Sequence, residues 1–233
     1  MFINSLIDIF LSSSSIYLVE ELMEFDLKTY LTKNYPLSLS TIKKILLSII
    51  KGLSHIHSKN IIHRDLKPQN ILINVDKNDH KVIKEVKIAD FGLSRRFAHS
   101  FGCQEIYTKN SMTPLYRAPE IILGKENYSK EVDIWSLGCI FGEMVLGKPL
   151  FFGESEIEVI KNIMQFFNIT NKNYSNFTAF SVDMFEAFFD KDQFKLLGKD
   201  GIDLLKQLLN LNPAERITVD DIVKHPFFNE NTL

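Results

Sequence analysis

The chain of 233 residues is poor in cysteine and has no large excess of charge of either sign. Its two cysteines, Cys103 and Cys139, show neither metal-ligand spacing nor a disulfide framework, which is typical of a reducing compartment. Lysine and arginine total 27 against 29 aspartates and glutamates, so the net charge of −2 favours no polyanion-binding surface. We therefore predict an intracellular protein, in the cytoplasm or the nucleus or both, that does not bind nucleic acid directly.

Long hydrophobic runs are also missing. No run reaches the roughly 18 apolar residues that a membrane span needs. Residues 1–11 are apolar, but they contain Asp8, no basic segment precedes them and no small-residue cleavage pattern follows, which argues against a signal peptide. Apolar residues nevertheless make up 45% of the chain, which is enough for one large core or two small ones. The sequence predicts a soluble globular protein without a membrane segment.

Two short stretches carry polar side chains in an order that suits phosphoryl transfer. Residues 61–70 include Asp65 and Asn70, and residues 89–92 place Asp90 after an apolar run. A hydroxyl that attacks a phosphoryl group needs a carboxylate to orient it and to accept its proton. Mg²⁺ prefers hard oxygen ligands, which amide and carboxylate side chains supply. Any one of these residues could be an ordinary turn residue, but the whole set in order favours a catalytic site.

Together the two stretches, His63-Arg64-Asp65-Leu66-Lys67-Pro68-Gln69-Asn70 and Asp90-Phe91-Gly92, resemble the catalytic loop and the metal-binding loop of a protein kinase. The resemblance implies that Asp65 orients and deprotonates the target hydroxyl and that Lys67 screens the transferring phosphoryl group. It also implies that Asn70 and Asp90 hold Mg²⁺ bridged by the phosphates of ATP. The implied cofactors are therefore ATP and Mg²⁺.

The resemblance covers nearly the whole chain and predicts an α+β, protein kinase-like fold. Residues 1–23 are expected to be a remnant of the N-lobe with its hinge, containing only the last strands of that β-rich lobe. Residues 24–228 are expected to form the mainly α-helical C-lobe, and residues 229–233 a tail.

The sequence contains no G-x-G-x-x-G, no Val-Ala-Ile-Lys type of strand lysine and no helix glutamate to pair with it, because the similarity begins inside the N-lobe. Two hypotheses follow. The first is a kinase whose N-terminal portion was lost through a mis-set start and whose remaining chain is nearly inactive by itself. The second is a truncated, non-catalytic kinase-like module that acts by binding.

Residues 2–10 and 16–22 are short β-rich runs split by serines, which predicts two strands and a turn. In the resembling family these strands lead to the hinge. Backbone groups of Glu21 and Met23 would then contact adenine, and Asp26 would reach the ribose. Judged from the residues alone, Asp26 could equally open a helix at the next position.

Two further residues, Gln69 and Leu72, are assigned by the resemblance to the same nucleotide site. Glu20 stands before the hinge, at a position where the family usually has a bulky apolar residue.

Apolar residues recur at helical spacing over residues 39–58, which predicts a core helix with Ser40 as its cap. Residues 132–145 are apolar on most sides and predict a buried helix. Asp133 at the start of that helix needs hydrogen bonds if it is buried. The resemblance gives these bonds to the backbone of the catalytic loop.

Two polar pairs are predicted in the second half of the chain. Ser155 and Glu158 have the spacing of a capping box. The resemblance pairs Arg216 with Glu120 in an ion pair that ties the two ends of the lobe together.

A polar segment without periodicity separates the second motif from Tyr116-Arg117-Ala118-Pro119-Glu120, where the family keeps its activation loop. Thr108 precedes Glu120 by the spacing of the phosphorylated threonine of the cyclin-dependent kinases. Its phosphate would be clamped by Arg64 and Arg95. The alternative is an unregulated surface threonine. Thr113 matches the threonine that hydrogen-bonds the catalytic aspartate and lysine.

Residues 128–140 and 151–157 resemble cyclin-dependent kinases almost residue for residue, and Arg117 is a signature of the branch that these share with the mitogen-activated kinases. In that branch the arginine engages the carbonyl, here of Met112, that would otherwise accept the amide of the residue after the target. Proline has no N–H to leave unsatisfied. The implied function is phosphorylation of Ser-Pro or Thr-Pro in protein substrates. A cyclin-like activator is a possible further partner, although its main docking helix has no counterpart in the sequence.

Overall fold

The structure is a computed structural model that describes residues 2–96, 114–125, 127–167, 169 and 192–229. Two antiparallel strands near the N-terminus, β1 (Leu6–Leu11) and β2 (Ile16–Glu20), form a hairpin. The amide of Ser12 donates to the carbonyl of Ser15 at 2.8 Å and closes the turn. The predicted pair of strands is thus confirmed. Every residue of both strands is exposed, although most of them are apolar.

A second sheet contains three antiparallel strands in the order β3 (Phe25–Asp26), β5 (Ile71–Val75) and β6 (Ile83–Ile88). Buried and half-buried residues alternate along β5, as expected for a strand with one face on the core. A third, two-stranded sheet pairs β4 (Ile61–Ile62) with β7 (Arg95–Arg96).

Helix α1 (Leu27–Asn34) follows β3 directly, and helix α2 (Leu39–Ser58) has the predicted bounds. The predicted cap of α2 is wrong. Ser38, not Ser40, accepts a hydrogen bond from the amide of Thr41, at 3.2 Å, because a capping residue must precede the first helical residue. The apolar face of α2 packs against β6 and leads the chain toward β4.

The N-terminal segment crosses this packed layer. The amide of Ile88 donates to the carbonyl of Phe2 at 2.9 Å, and the amide of Asn4 donates to the carbonyl of Ile88 at 2.8 Å. Gly52 permits the approach, since a Cβ there would lie 3.0 Å from the Phe2 carbonyl oxygen and 2.7 Å from the Ile88 side chain. The segment that enters β1 is therefore fastened to β6 before the exposed hairpin begins.

Helix α4 (Glu131–Leu146) lies in the core, and every residue from Val132 to Leu146 is buried, as predicted. The helix ends at Gly147, whose φ of 69° is the left-handed conformation that glycine adopts without a Cβ penalty. Trp135 stacks on Phe151 with 5.6 Å between ring centroids.

Shorter helices complete the described fold. Helices α3 (Pro119–Ile122) and α5 (Glu156–Phe166) contact each other. Three more helices follow, Asp192–Lys195, Gly198–Leu208 and Val219–Ile222, and single 3-10 turns span Pro68–Asn70, Pro213–Glu215 and Pro226–Phe228. Among the helices of the described residues, none has the length and apolar character needed to cross a membrane.

Half of the predicted capping box is present at the start of α5. The Ser155 hydroxyl accepts from the amide of Glu158 at 3.3 Å. The Glu158 carboxylate accepts from the amide of Glu154, at 2.7 Å, instead of returning to Ser155.

The predicted ion pair between Arg216 and Glu120 is present and buried. Arg216 Nη1 and Nη2 donate to the two carboxylate oxygens of Glu120 at 2.8 Å and 3.0 Å. The same guanidinium donates to the backbone carbonyls of Asn210 and Glu131. The Arg216 guanidinium thus links α3, α4 and the C-terminal region. If either Arg216 or Glu120 is lost, the charge of the other remains buried without this partner.

We expect Glu120→Ala to lower the free energy of unfolding by about 3–5 kcal/mol, because it strands the Arg216 guanidinium in the core. Urea unfolding measured by circular dichroism gives this value. Asp192→Ala is the matched control, since Asp192 pairs with Lys195 at the surface and such pairs contribute about 0–1 kcal/mol. Equal effects of the two substitutions would contradict the assignment.

Candidate active site

The loop that carries Asp65 is fixed at both ends. The strand β4 pairs Ile62 with Arg95 of β7, and the turn Pro68–Asn70 leads directly into β5. Between these points Arg64 has a φ of 72°, an uncommon conformation for a residue with a side chain. The loop therefore needs partners outside itself to hold it.

The buried carboxylate of Asp133 in α4 supplies those partners. Its Oδ2 accepts from the amide of His63 at 2.9 Å, and its Oδ1 accepts from the amide of Arg64 at 2.8 Å. The side chain of His57, in the last turn of α2, lies 2.8 Å from Oδ2 through Nε2. The bracing of the loop backbone by Asp133 is as predicted, while the contribution of His57 was not predicted.

Three predicted catalytic side chains converge within this loop. Lys67 Nζ lies 2.6 Å from Asp65 Oδ2, and Asn70 Nδ2 donates to the same oxygen at 3.1 Å and to the Asp65 carbonyl at 2.8 Å. Lys67 and Asn70 are buried, whereas the Asp65 carboxylate is partly exposed. A cation and an amide thus orient a solvent-accessible carboxylate. Since the nitrogen of the Asn70 amide faces Asp65, its oxygen is at the opposite end of the group.

The second motif lies beside this loop. The amide of Ala89 donates to the carbonyl of Asn70 at 2.9 Å, which brings the neighbouring Asp90 close to Asn70 along the backbone. Asp90 is exposed and has a φ of 62°, and its Oδ1 accepts from the amide of Gly92 at 3.2 Å.

The donor set suits a divalent cation that is shared with phosphates. Asn70 and Asp90 offer hard oxygen atoms of the kind that Mg²⁺ prefers. No cluster of three or more His, Cys, Asp or Glu side chains arranged to hold a metal by itself occurs in the part of the chain that the structure describes. Such a pair of ligands fits Mg²⁺ only if phosphate oxygens and waters complete its coordination.

His63 joins the two motifs. Its Nε2 lies 3.0 Å from the carbonyl of Ala89, and its ring meets that of Phe91 edge to face with 5.0 Å between centroids. Burial lowers the pKa of His63 below its ordinary value of 6.5, while the nearby Asp133 carboxylate acts in the opposite direction. His63 thus serves as a neutral spacer between the loops.

Three of the predicted nucleotide-binding residues lie in the first two strands of the second sheet or in the turn that enters it. Asp26 of β3 is opposite Leu72 of β5, and Gln69 is exposed in the turn before β5. The Asp26 carboxylate accepts from the backbone amide and the hydroxyl of Thr29, at 2.8 Å each, so it is the N-cap of α1. The helix-opening alternative for Asp26 is therefore present in the structure.

The hinge residues Glu21 and Met23 are half-buried. Lys87 Nζ of β6 lies 2.6 Å and 2.7 Å from the two carboxylate oxygens of Glu21. Hydrogen bonding to Lys87 is the main reason that the pKa of Glu21 lies below its ordinary value. Lys87 is itself buried, so this ion pair fixes the hinge to the strand that leads to Asp90. The role of Lys87 in this ion pair was not predicted from the sequence.

Of the predicted regulatory and substrate residues, the structure describes Arg64, Arg95 and Arg117. Arg95 of β7 pairs with Ile62 of β4, two residues before Arg64, and the Arg64 guanidinium lies 5.8 Å from the ring centroid of Tyr128. Arg117 Nη1 donates to Glu156 at 2.6 Å. The remaining predicted residues, Thr108, Met112 and Thr113, lie outside the described residues.

A cavity of about 330 Å³ opens beside the catalytic loop. Its walls include Asp65, Lys67, Tyr116 and Arg117, together with Lys28 from α1. The cavity therefore lies between Asp65 and the segment that precedes α3.

Residues 1–228 match the family model described as protein kinase domain. The chain belongs to the protein kinase family. It is 38% identical to "Cell division control protein 2 homolog 3" of Trypanosoma brucei brucei, over 98% of this chain and 73% of the relative. It is 36% identical to "Cell division control protein 2 homolog 1" of the same organism, over 96% of this chain and 77% of the relative. The chain is thus a kinase of the cyclin-dependent type, as the sequence predicts.

The depressed pKa of His63 predicts a pH-dependent stability. The unfolded chain binds a proton at His63 near pH 6.5, whereas the folded chain resists that proton, so stability is complete above this pH and falls below it. The slope contributed by one such group is at most about 1.4 kcal/mol per pH unit.

We expect His63→Gln to flatten the unfolding free energy between pH 7 and pH 5, and urea titrations at several pH values measure it. His80→Gln, in an exposed loop, is the control and should keep the wild-type profile. An unchanged profile in His63→Gln would show that His63 does not produce the pH dependence.

Proposed function

We propose that the chain transfers the γ-phosphoryl group of ATP to serine or threonine hydroxyls of proteins, with proline after the target residue. The observation that carries this proposal is the partly exposed Asp65 carboxylate held by Lys67 at 2.6 Å and Asn70 at 3.1 Å, at the mouth of a cavity. A carboxylate so oriented can accept the proton of an incoming hydroxyl. Lys67, adjacent to it, is a cation placed to screen charge on the transferring group.

Asn70 and Asp90 would hold Mg²⁺ through their side-chain oxygens. When bound, the ion neutralises phosphate charge and aligns the phosphates for in-line transfer. The hinge backbone at Glu21 and Met23 would bind adenine. The Glu21–Lys87 ion pair would hold that backbone in a constant position relative to Asp90.

Asp26, Gln69 and Leu72 would complete the nucleotide site. The N-cap role of Asp26 is compatible with a ribose contact, because a carboxylate can accept more hydrogen bonds than the two that it accepts from Thr29. Thr113 would hydrogen-bond the catalytic pair from the other side, on the strength of its position in the sequence.

Regulation would use Thr108. A phosphate there adds nearly two negative charges, and the pairing of Arg95 with Ile62, two residues before Arg64, supports a shared anion clamp. A cyclin-like activator is part of this proposal.

The division into residues 1–23, 24–228 and 229–233 stays a prediction. A location in the cytoplasm or nucleus also stays a prediction.

The proline preference depends on Arg117 and Met112. Arg117 is held by Glu156, which fixes the direction of its side chain. If the guanidinium engages the Met112 carbonyl, a residue after the target that has an N–H buries that donor without a partner.

The nucleotide site is tested by measuring the binding of ATP. We expect Mg²⁺ to raise the affinity for ATP in the wild type, and Asp90→Ala to reduce this enhancement by at least about tenfold, since metal sites respond to lost ligand support on that scale. Calorimetric titration of ATP with Mg²⁺ or with a chelator measures it. Asp79→Ala, a carboxylate on an exposed loop, is the control. Identical enhancement in all three proteins would refute the metal assignment, and peptide binding without nucleotide binding would favour a binding module.

The proline preference is tested with three peptides that differ only after the serine: proline, N-methylalanine and alanine. Proline and N-methylalanine both lack the N–H, so we expect them to bind alike, and alanine to bind roughly 5- to 150-fold more weakly, from about 1–3 kcal/mol for an unpaired donor. Arg117→Ala should remove the difference between N-methylalanine and alanine. Fluorescence anisotropy measures the affinities, and equal binding of all three peptides to the wild type would refute the preference.

A further inference from the structure

A buried carboxylate lies behind the wall of the cavity that holds Asp65. Glu143 is in the last turn of α4, and its side chain is 1% exposed. Its Oε1 accepts from Lys28 Nζ at 2.7 Å, and its Oε2 accepts from the Tyr116 hydroxyl at 2.6 Å. Burial, together with the adjacent Glu143 carboxylate, raises the pKa of Tyr116, so the phenol stays protonated and donates. Glu143 is thus covered by two side chains from elements far apart in the sequence.

Both covering side chains line the cavity, whereas Glu143 does not. Lys28 is 38% exposed, so its ammonium group is bonded to Glu143 and still faces solvent. The charged side chains that line the cavity are Lys28, Arg64, Lys67, Arg117 and Asp65. Among the described residues, Asp65 is therefore the one acidic residue that lines the cavity, and it already has Lys67 as its partner.

We propose that Lys28 is a specificity-determining residue for the protein substrate. By covering and neutralising Glu143, it keeps a second carboxylate out of the cavity, so that substrates with acidic or neutral residues near the target hydroxyl are accepted in preference to basic ones. This inference rests on the proposed function, because it takes the cavity beside Asp65 to be the place where the peptide lies.

The net charge at this part of the cavity wall depends on both Lys28 and Glu143. A peptide side chain in the cavity meets the Lys28 ammonium before the Glu143 carboxylate, because Glu143 lies behind it. Removal of Lys28 changes the local charge from neutral to −1 and opens a path to the carboxylate. Removal of the Glu143 charge leaves Lys28 unneutralised at the wall and changes the local charge to +1. The two substitutions should therefore move the charge preference in opposite directions.

The test uses the 233-residue chain and serine peptides in which a single Glu, Ala or Lys is moved through the positions on either side of the serine. Anisotropy gives the affinity ratio of the Glu to the Lys peptide at each position. We expect this ratio to exceed one in the wild type for at least one position. Lys28→Ala should lower the ratio and Glu143→Gln should raise it, each by about fivefold, the upper range for a partly exposed charge pair.

Three controls separate specificity from structural damage. Lys28→Arg keeps the charge and should keep the wild-type ratio. Lys28→Ala/Glu143→Gln removes both charges and should restore a ratio near that of the wild type. High salt should compress the ratios of all proteins toward one.

A purely structural role would weaken both peptides by the same factor and leave the ratio unchanged, which would overturn the proposal. If Lys28→Ala does not fold, Glu143→Gln carries the test, and an unchanged or lower ratio in it overturns the proposal. Failure of every peptide to bind also overturns it.

The outcome is separable from that of the proposed function. Opposite shifts in the ratio without Mg²⁺-dependent binding of ATP would support the cavity as a charge-selective peptide site and refute the kinase activity. Mg²⁺-dependent binding of ATP with an unchanged affinity ratio would support the proposed function and refute the role of Lys28 in substrate specificity.

Discussion

The carboxylate of Asp133 lies wholly inside the protein, and the arrangement of the active site depends on the three hydrogen bonds that it accepts or shares. A buried carboxylate is costly without partners, so it organises the groups around it. Here the partners are the backbone amides of His63 and Arg64 and the ring of His57. These bonds offset the uncommon backbone conformation at Arg64 and set the direction in which Asp65 leaves the loop. Because α4 is buried from Val132 to Leu146, the Asp133 carboxylate is enclosed by the core.

Polar partners also hold three other buried charges, those of Glu120, Glu143 and Lys87. Glu120 is paired with Arg216, Glu143 with Lys28, and Lys87 with Glu21. Each pair joins elements that are distant in the chain, and each leaves a stranded charge if one member is lost. Apolar packing fills the core, but these pairs decide how α1, α3, β6 and the hinge are positioned around it. The predicted catalytic residues Asp65, Lys67 and Asn70 are likewise held by polar contacts.

The hairpin β1–β2 contrasts with this rigid frame. Its anchoring segment is hydrogen-bonded to Ile88, and the amide of Glu21 returns to the carbonyl of Ser5 at 2.9 Å. Between these points apolar side chains such as Phe10 and Ile16 are exposed. An isolated two-stranded sheet is marginally stable in water. The hinge therefore derives its order from the Glu21–Lys87 ion pair and the second sheet, and much less from the hairpin that precedes it.

Much of the fold could be predicted from local sequence. The periodicity of residues 39–58 gives the bounds of α2, and the apolar character of residues 132–145 gives the burial of α4, because both signals arise within the element itself. The order of Asp65, Lys67, Asn70 and Asp90 indicated the kind of chemistry for the same reason, since the first three lie within one loop. The predicted cap of α2 was wrong by two residues, because Ser38 and Ser40 offer the same side chain and only the backbone decides which of them precedes the helix.

The tertiary structure alone decided the pairing of charges. Lys28 and Glu143 are 115 residues apart, and Lys87 and Glu21 are 66 apart, so no spacing rule connects them. His57 resembles any histidine at the end of an amphipathic helix until Asp133 is placed beside it. A sequence determines which residue types are present and which face of an element they occupy. Partner choice among many lysines and glutamates depends on burial, and burial exists only once the elements have packed.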